Sequence, residues 1–302
     1  PTVTATGLPE GFTVEATASG SRTHAGTVAN VVNDGYVIRN ANGEDKTANF
    51  KNVVKVDGTI TINPKSVTIT TGSDSKAYDG KALTNSDIVI DGIVSGETYD
   101  LKVTGTITEV GTADNSYEMT WGTKSNDFTA YKNDYAVTES IGTLTVNANG
   151  NAVVLTAASG EKVFDGDALK VAEVTATGLP EGFTVEATTK GSQTNVGSSV
   201  NAVRDGYVIK NADGANKTSS FTNVTTADGL LTVTPKKLTV TTGSGKKAYD
   251  GTALTVADVS AEGLPSGFTV EATTTGSQLD AGTSANTVND GYVIKNSAGE
   301  NK

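Results

Sequence analysis

The sequence predicts an all-β protein of tandem antiparallel β-sandwich repeats, each about 85 residues long, set end to end as an extended rod. Three observations carry this prediction. One long string recurs along the chain, apolar residues alternate with a period of two, and Gly, Asn, Asp and Pro punctuate the chain at short intervals.

The string is VTATGLPEGFTVEAT at residues 3–17, repeated identically at residues 174–188. A third copy, GLPSGFTVEAT, occupies residues 263–273 with one change. The interval from Gly7 to Gly178 is about twice that from Gly178 to Gly263, so a diverged copy is required within it. It starts at Gly92 (GIVSGETYD). Other columns keep this register. A Gly-x5-Gly element begins at Gly20, Gly105, Gly191 and Gly276, and Asn30, Asn115, Asn201 and Asn286 share one position. Placing each unit after the closing strand of the last gives units at 1–64, 65–148, 149–235 and 236–302. The first then lacks its opening strands, the second is divergent, and the fourth lacks its closing strand. The chain opens inside a repeat, which reads as a fragment or a mature segment.

Within a unit the elements follow in order. The opening strand places Val67 and Ile69, or Leu238 and Val240, on one face. An aromatic-Asp-Gly turn comes next: Tyr78, Asp79 and Gly80; Phe164, Asp165 and Gly166; Tyr249, Asp250 and Gly251. Asp can hydrogen-bond the backbone that follows it, and Gly accepts a positive φ. The aromatic and the next leucine (Leu83, Leu169, Leu254) are then expected in the core. In GFTVEAT, Phe12, Val14 and Ala16 share one face, while Thr13, Glu15 and Thr17 share the other. Each unit closes on an alternating strand, such as Thr59-Ile60-Thr61-Ile62 or Leu231-Thr232-Val233. No stretch carries a sustained helical period, so no long helix is expected, and a β-grasp alternative would need one. Proline stiffens the junctions at Pro64 and Pro235. Residues 147–151 (Asn-Ala-Asn-Gly-Asn) carry Gly and no Pro, and are expected to be the main hinge.

The YDG turn, the TGSQT-x-x-G column and the closing GxLTVTP resemble the YDG-type (MBG-like) Ig-like repeats of large bacterial surface and adhesin proteins. The resemblance covers essentially the whole chain. The second unit departs from the pattern, with Met119 and Trp121 in place of the DGYVI strand and no closing Pro. The resemblance implies an extracellular, cell-surface stalk module that projects a functional head carried elsewhere. A host glycan or protein ligand would then be met through other regions; repeats that bind such a ligand directly are the alternative.

Composition narrows the chemistry. With 34 acidic and 23 basic residues the net charge is −11, and no basic run exceeds a pair such as Lys236-Lys237, which argues against nucleic acid. There is no cysteine, hence no disulfide and no thiolate metal site. No apolar segment approaches transmembrane length, and no membrane contact is expected. His24 is the only histidine, and its column holds Glu109, Asn195 and Asp280, so a hydrolase triad is not expected. Asn- and Asp-rich turns at residues 40–45 and 211–214 could supply calcium ligands, but none has the spacing of a dedicated calcium loop. Lys76, Lys162 and Lys247 share a column, as do the four asparagines and Glu15, Asp100, Glu186 and Glu271, which is the residue set of a Lys–Asn isopeptide bond. Glu15, however, falls on the polar face, where its carboxylate would not be desolvated. Trp121 is read as core before carbohydrate platform. The prediction is therefore a structural module and not an enzyme, with no catalytic, cofactor-binding or metal-binding residue. The two incomplete end units predict head-to-tail association of the chain, or end units that are its least ordered part.

Overall fold

The computed structural model describes residues 2–302; Pro1, the first residue of the first expected unit, lies outside the described residues. The chain is nearly all β. Among the described residues there are 25 short strands and three single-turn 3-10 helices, Thr47–Asn49, Lys132–Asp134 and Thr218–Ser220, with no α-helix. The chain divides into two compact units, Pro1–Asn147 and Ala148–Lys302.

In the first unit, Gly58–Ile62 pairs antiparallel with Gly26–Val32, and Thr13–Glu15 pairs antiparallel with Val37–Arg39. The strand Lys65–Thr71 then lies between Ile88–Asp91, antiparallel, and Tyr135–Ser140, parallel. Thr143–Asn147 lies between Gly111–Asp114, antiparallel, and Asp74–Ala77, parallel. The alternation is strict in Lys65–Thr71, where Val67, Ile69 and Thr71 are buried and Thr68 and Thr70 exposed. Val67 and Ile69 form a core cluster with Ala130 and Tyr135, joined by Ile90, Leu101, Met119 and Trp121.

The second unit repeats these pairings. Val153–Ala157 lies between Val174–Thr177, antiparallel, and Val224–Ala227, parallel. Gly229–Thr234 lies between Gly197–Asn201, antiparallel, and Gly160–Val163, parallel. Val153, Leu155, Ala157, Ile209, Leu231 and Val233 are its buried apolar residues of lowest exposure. Residues beyond Thr234 contribute only two strand pairs among the described residues, Thr239–Thr242 with Val259–Glu262 and Thr269–Glu271 with Val293–Lys295.

One expectation is corrected. The sheets are small and mostly antiparallel, but four of the described strand pairs run parallel. The partners Lys65 and Tyr135 come from opposite ends of one repeat. Parallel pairing of this kind needs a long crossover, which turn signals between neighbouring strands do not reveal. Within residues 147–151, where the two compact units divide, Asn149 is tied to its own unit. The Asn149 N–H donates to the Ser220 carbonyl at 2.8 Å and its own carbonyl accepts from the Thr222 N–H at 3.0 Å. Its Oδ1 accepts the Asn151 N–H at 2.9 Å. Asn149 is buried and belongs to the second unit, and only Ala148 separates it in sequence from the strand Thr143–Asn147.

Candidate functional site

The aromatic-Asp-Gly turn is built the same way three times. Gly80, Gly166 and Gly251 have φ of 77°, 92° and 82°, a region that other residues enter only with strain. Asp79 Oδ1 accepts the Lys81 N–H at 2.9 Å, Asp165 Oδ1 the Asp167 N–H at 2.9 Å, and Asp250 Oδ1 the Thr252 N–H at 3.0 Å. Each aspartate also holds the lysine three residues before it: Lys76 at 2.7 Å, Lys162 at 2.5 Å and Lys247 at 2.8 Å. The same Lys76 and Lys162 amines donate to the Lys81 and Asp167 carbonyls. The lysine bond and the backbone N–H hold the Asp165 carboxyl below its ordinary value. At Asp250 the Lys247 bond and the Thr252 hydroxyl act in the same direction. At Asp79 burial pushes the carboxyl up, and the Lys76 and Lys81 contacts outweigh it, for a net lowering.

The aromatic residues of the three turns do not share one fate, and the expectation that all enter the core is corrected. Tyr78 is 1% exposed, Phe164 is half-buried, and Tyr249 is 67% exposed. The Tyr78 N–H donates to the Asn147 carbonyl, and the Phe164 N–H to the Thr234 carbonyl, so a closing strand lies over each. No such strand lies over Tyr249 among the described residues. Phe164 instead meets Phe268 edge-on, with ring centroids 5.7 Å apart. A Cβ on Gly166 would come within 2.7 Å of the Phe268 ring and would push that ring aside. Phe164, Phe268, Val196, Leu238, Leu264 and Ile294 line an apolar cleft of about 530 Å³.

The three columns considered for an isopeptide bond are engaged separately. The lysines are held in the turns. Three of the four asparagines are held by backbone: Asn115 Nδ2 donates to the Gly72 and Asn85 carbonyls, Asn201 Nδ2 to Ala158 and Val171, and Asn286 Nδ2 to Gly243 and Val256, all at 2.8–3.0 Å. Glu15, Glu186 and Glu271 are exposed and pair with Arg39, Lys210 and Lys295 on the neighbouring strand. Sequence reasoning saw each column but not its partners. The Asp-Lys pair was open to it as an i, i+3 spacing. The asparagine bonds reach far along the chain, to carbonyls with no local signal to mark them.

His24 is 58% exposed by side chain and lies 2.6 Å from Asp134 Oδ2 through its Nδ1. Asp134 Oδ1 accepts the Ala25 N–H, and Tyr131 meets the imidazole edge-on at 4.9 Å. This contact joins the first and second sequence repeats inside the first unit. Trp121 stacks on Tyr135 with centroids 5.7 Å apart. Its outer side borders an open groove of about 480 Å³ lined by Tyr117, Met119, Lys132 and Glu139. Burial, then the 2.6 Å bond to Glu139, pushes the Tyr117 phenol up to about 12.

The turns weighed as calcium loops are closed by their own asparagines. Asn40 Oδ1 accepts the Asn42 and Glu44 N–H groups, and Asn211 Oδ1 accepts the Ala215 N–H. Among the described residues no three His, Cys, Asp or Glu side chains converge as a metal site. No helix among them is long and apolar enough to cross a membrane.

No protein-family model and no curated protein sequence matches this chain. Among solved structures, an endo-fucoidan hydrolase of glycoside hydrolase family 107 matches 77% of this chain and 38% of its own length, at 11% identity and a TM-score of 0.18. The chain thus spans less than half of that enzyme. Against the expectation of a chain that is not an enzyme, the match reported is to a hydrolase, and that expectation is not carried further. At that TM-score the match assigns no activity and no fold to this chain.

Proposed function

We propose that this chain is a run of Ig-like β-sandwich repeats serving as a spacer in the stalk of a bacterial cell-surface adhesin, outside the cell. One observation carries the reading. Three elements that recur at the repeat interval serve the fold itself: the Asp-Lys turn, the asparagine whose Nδ2 is held by distant carbonyls, and the closing strand. A repeat whose common parts serve only its own backbone suits a role in which unit number and length matter. The four sequence units, at 1–64, 65–148, 149–235 and 236–302, would each bury a small core and stand in line.

The test is small-angle scattering of the whole chain. A line of such units about 140 Å long, from strands at about 3.3 Å per residue, has a radius of gyration of about 40 Å. A single globule of this length would give about 19 Å, and that result would end the spacer reading.

A second reading, direct binding of a host glycan, is favoured by the groove beside Trp121, where an aromatic face and the polar Lys132 and Glu139 meet. A glycan-array screen with Trp121→Ala as control tests it; the expected outcome of this reading is binding that the variant abolishes.

A further inference from the structure

The groove beside Trp121 lies between the edges of two sheets of the second repeat. Among the described residues Tyr117–Thr120 pairs only with Asp100–Val103, and Tyr135–Ser140 only with Lys65–Thr71. Two side-chain contacts hold these edges side by side. The Tyr117 hydroxyl donates to Glu139 Oε1 at 2.6 Å, and Trp121 stacks on Tyr135. Tyr117 precedes Trp121 while Glu139 follows Tyr135, so the two segments run in opposite directions. Met119 and Val137 fall between the two contacts and pack against the core.

The groove is thus aromatic and apolar along its length and charged at its ends. Lys132, three residues before Tyr135, lies toward Trp121, while Asp114 and Glu139 lie toward Tyr117. Four residues separate Tyr117 from Trp121, so the ends are about 13 Å apart at about 3.3 Å per residue. Tyr135 backs one face of the indole, and the other borders the groove. Glu139 is exposed, and the Tyr117 hydroxyl fixes its Oε1, so Oε2 remains to accept. The fold does not require these charges. At the interval from Asn115 to Asn201, the third repeat has Val200 for Asp114, Val203 for Tyr117 and Thr218 for Lys132. Where Glu139 pairs with Ile69, Thr226 pairs with Leu155.

We propose that this groove binds a short oligosaccharide of amino sugars whose amines are free and charged. One ring stacks on the outer face of Trp121, and the ammonium of a ring further along pairs with Glu139 and Asp114. Lys132 donates to hydroxyl or ring oxygens at the other end. Charge decides between sugar classes. Two carboxylates to one amine favour a cationic ligand, and a chain of net charge −11 repels sulfated or uronic glycans. A wholly cationic peptide would set like charge against Lys132, where a sugar offers acceptors. The inference rests on the glycan reading of this groove and narrows the class of sugar.

The test is titration of the whole chain with a glucosamine tetrasaccharide, read by fluorescence, since Trp121 is the only tryptophan. The expected result is a saturable change in emission, with affinity about tenfold or more above that for the fully N-acetylated tetrasaccharide. Glu139→Gln keeps an oxygen for the Tyr117 hydroxyl and removes the charge, so it should abolish the difference between the two sugars. Equal affinity of the wild type for both would overturn the amine class and leave the glycan reading standing. No response to either would overturn both. An equal response to tetralysine, or amine binding that Glu139→Gln leaves unchanged, would also overturn the proposal, because acidic surface without the groove would then suffice.

Discussion

Asn201 shows how much one side chain holds in place. It is fully buried, its Nδ2 donates to the Ala158 and Val171 carbonyls, far from it in sequence, and its Oδ1 accepts the Gly191 N–H at 3.2 Å. Truncation to Ala strands those groups without water and is expected to cost roughly 3 kcal/mol in chemical denaturation, since each unsatisfied buried group costs about 1–3 kcal/mol. Asn201→Asp keeps the shape but sets a carboxylate against two acceptors, which raises its pKa in the folded state. Its deficit against wild type should therefore grow as pH rises from about 4, the unfolded value of Asp. A deficit that is flat with pH would mean the side chain is not facing those carbonyls. The turn aspartates carry the opposite sign. Asp165 is held below its ordinary value by the Lys162 bond and then by the Asp167 N–H, so it contributes stability above about pH 4 that is lost as pH falls toward the native value. Asp165→Asn should be less stable than wild type at neutral pH, with the gap closing in acid. The asparagine column was legible in the sequence as a column only. What it bonds to depends on which backbone turns are brought alongside, and no local pattern encodes that.

At the scale of elements, the hairpins were legible and the crossovers were not. The Leu-Pro-Glu-Gly turn before Thr184–Glu186 and the Asp-Gly turn before Val208–Lys210 are local signals, and the two strands pair antiparallel. The parallel pairing of Gly229–Thr234 with Gly160–Val163 joins segments from opposite ends of a repeat, and the alternation in each says only which face is buried. That strand is central to its sheet, and Leu231 is completely buried. Leu231→Ala is therefore expected to destabilise its repeat by roughly 2–5 kcal/mol. Amide exchange should rise first at Gly160–Val163 and Gly197–Asn201. A loss under about 1 kcal/mol would mean that the site collapses around the smaller side chain. The fate of the three turn aromatics was hidden for a related reason. Tyr78, Phe164 and Tyr249 have nearly identical neighbours in sequence, and their exposure is decided by strands contributed from the far end of the repeat.

For the molecule as a whole, the parallel strand pairs say how it would carry a load. In the third repeat the first strands, Val153–Ala157 and Gly160–Val163, run parallel to the last, Val224–Ala227 and Gly229–Thr234. In the second repeat Lys65–Thr71 and Asp74–Ala77 stand in the same relation to Tyr135–Ser140 and Thr143–Asn147. Tension applied at the two ends of such a repeat pulls its first and last strands in opposite directions along their length. The ladder bonds lie across that direction, so they resist together as a shear patch and do not open one at a time like a zipper. Rupture under force follows the unfolding barrier and not the equilibrium stability. Single-molecule pulling should thus find the second and third repeats yielding at higher force than residues 236–302, whose two strand pairs, Thr239–Thr242 with Val259–Glu262 and Thr269–Glu271 with Val293–Lys295, are both antiparallel. Equal rupture forces would show that the parallel clamp bears no load. A sheet order that brings the first and last strands of a repeat side by side is, in mechanical terms, a lap joint, which spreads the pull over its whole overlap.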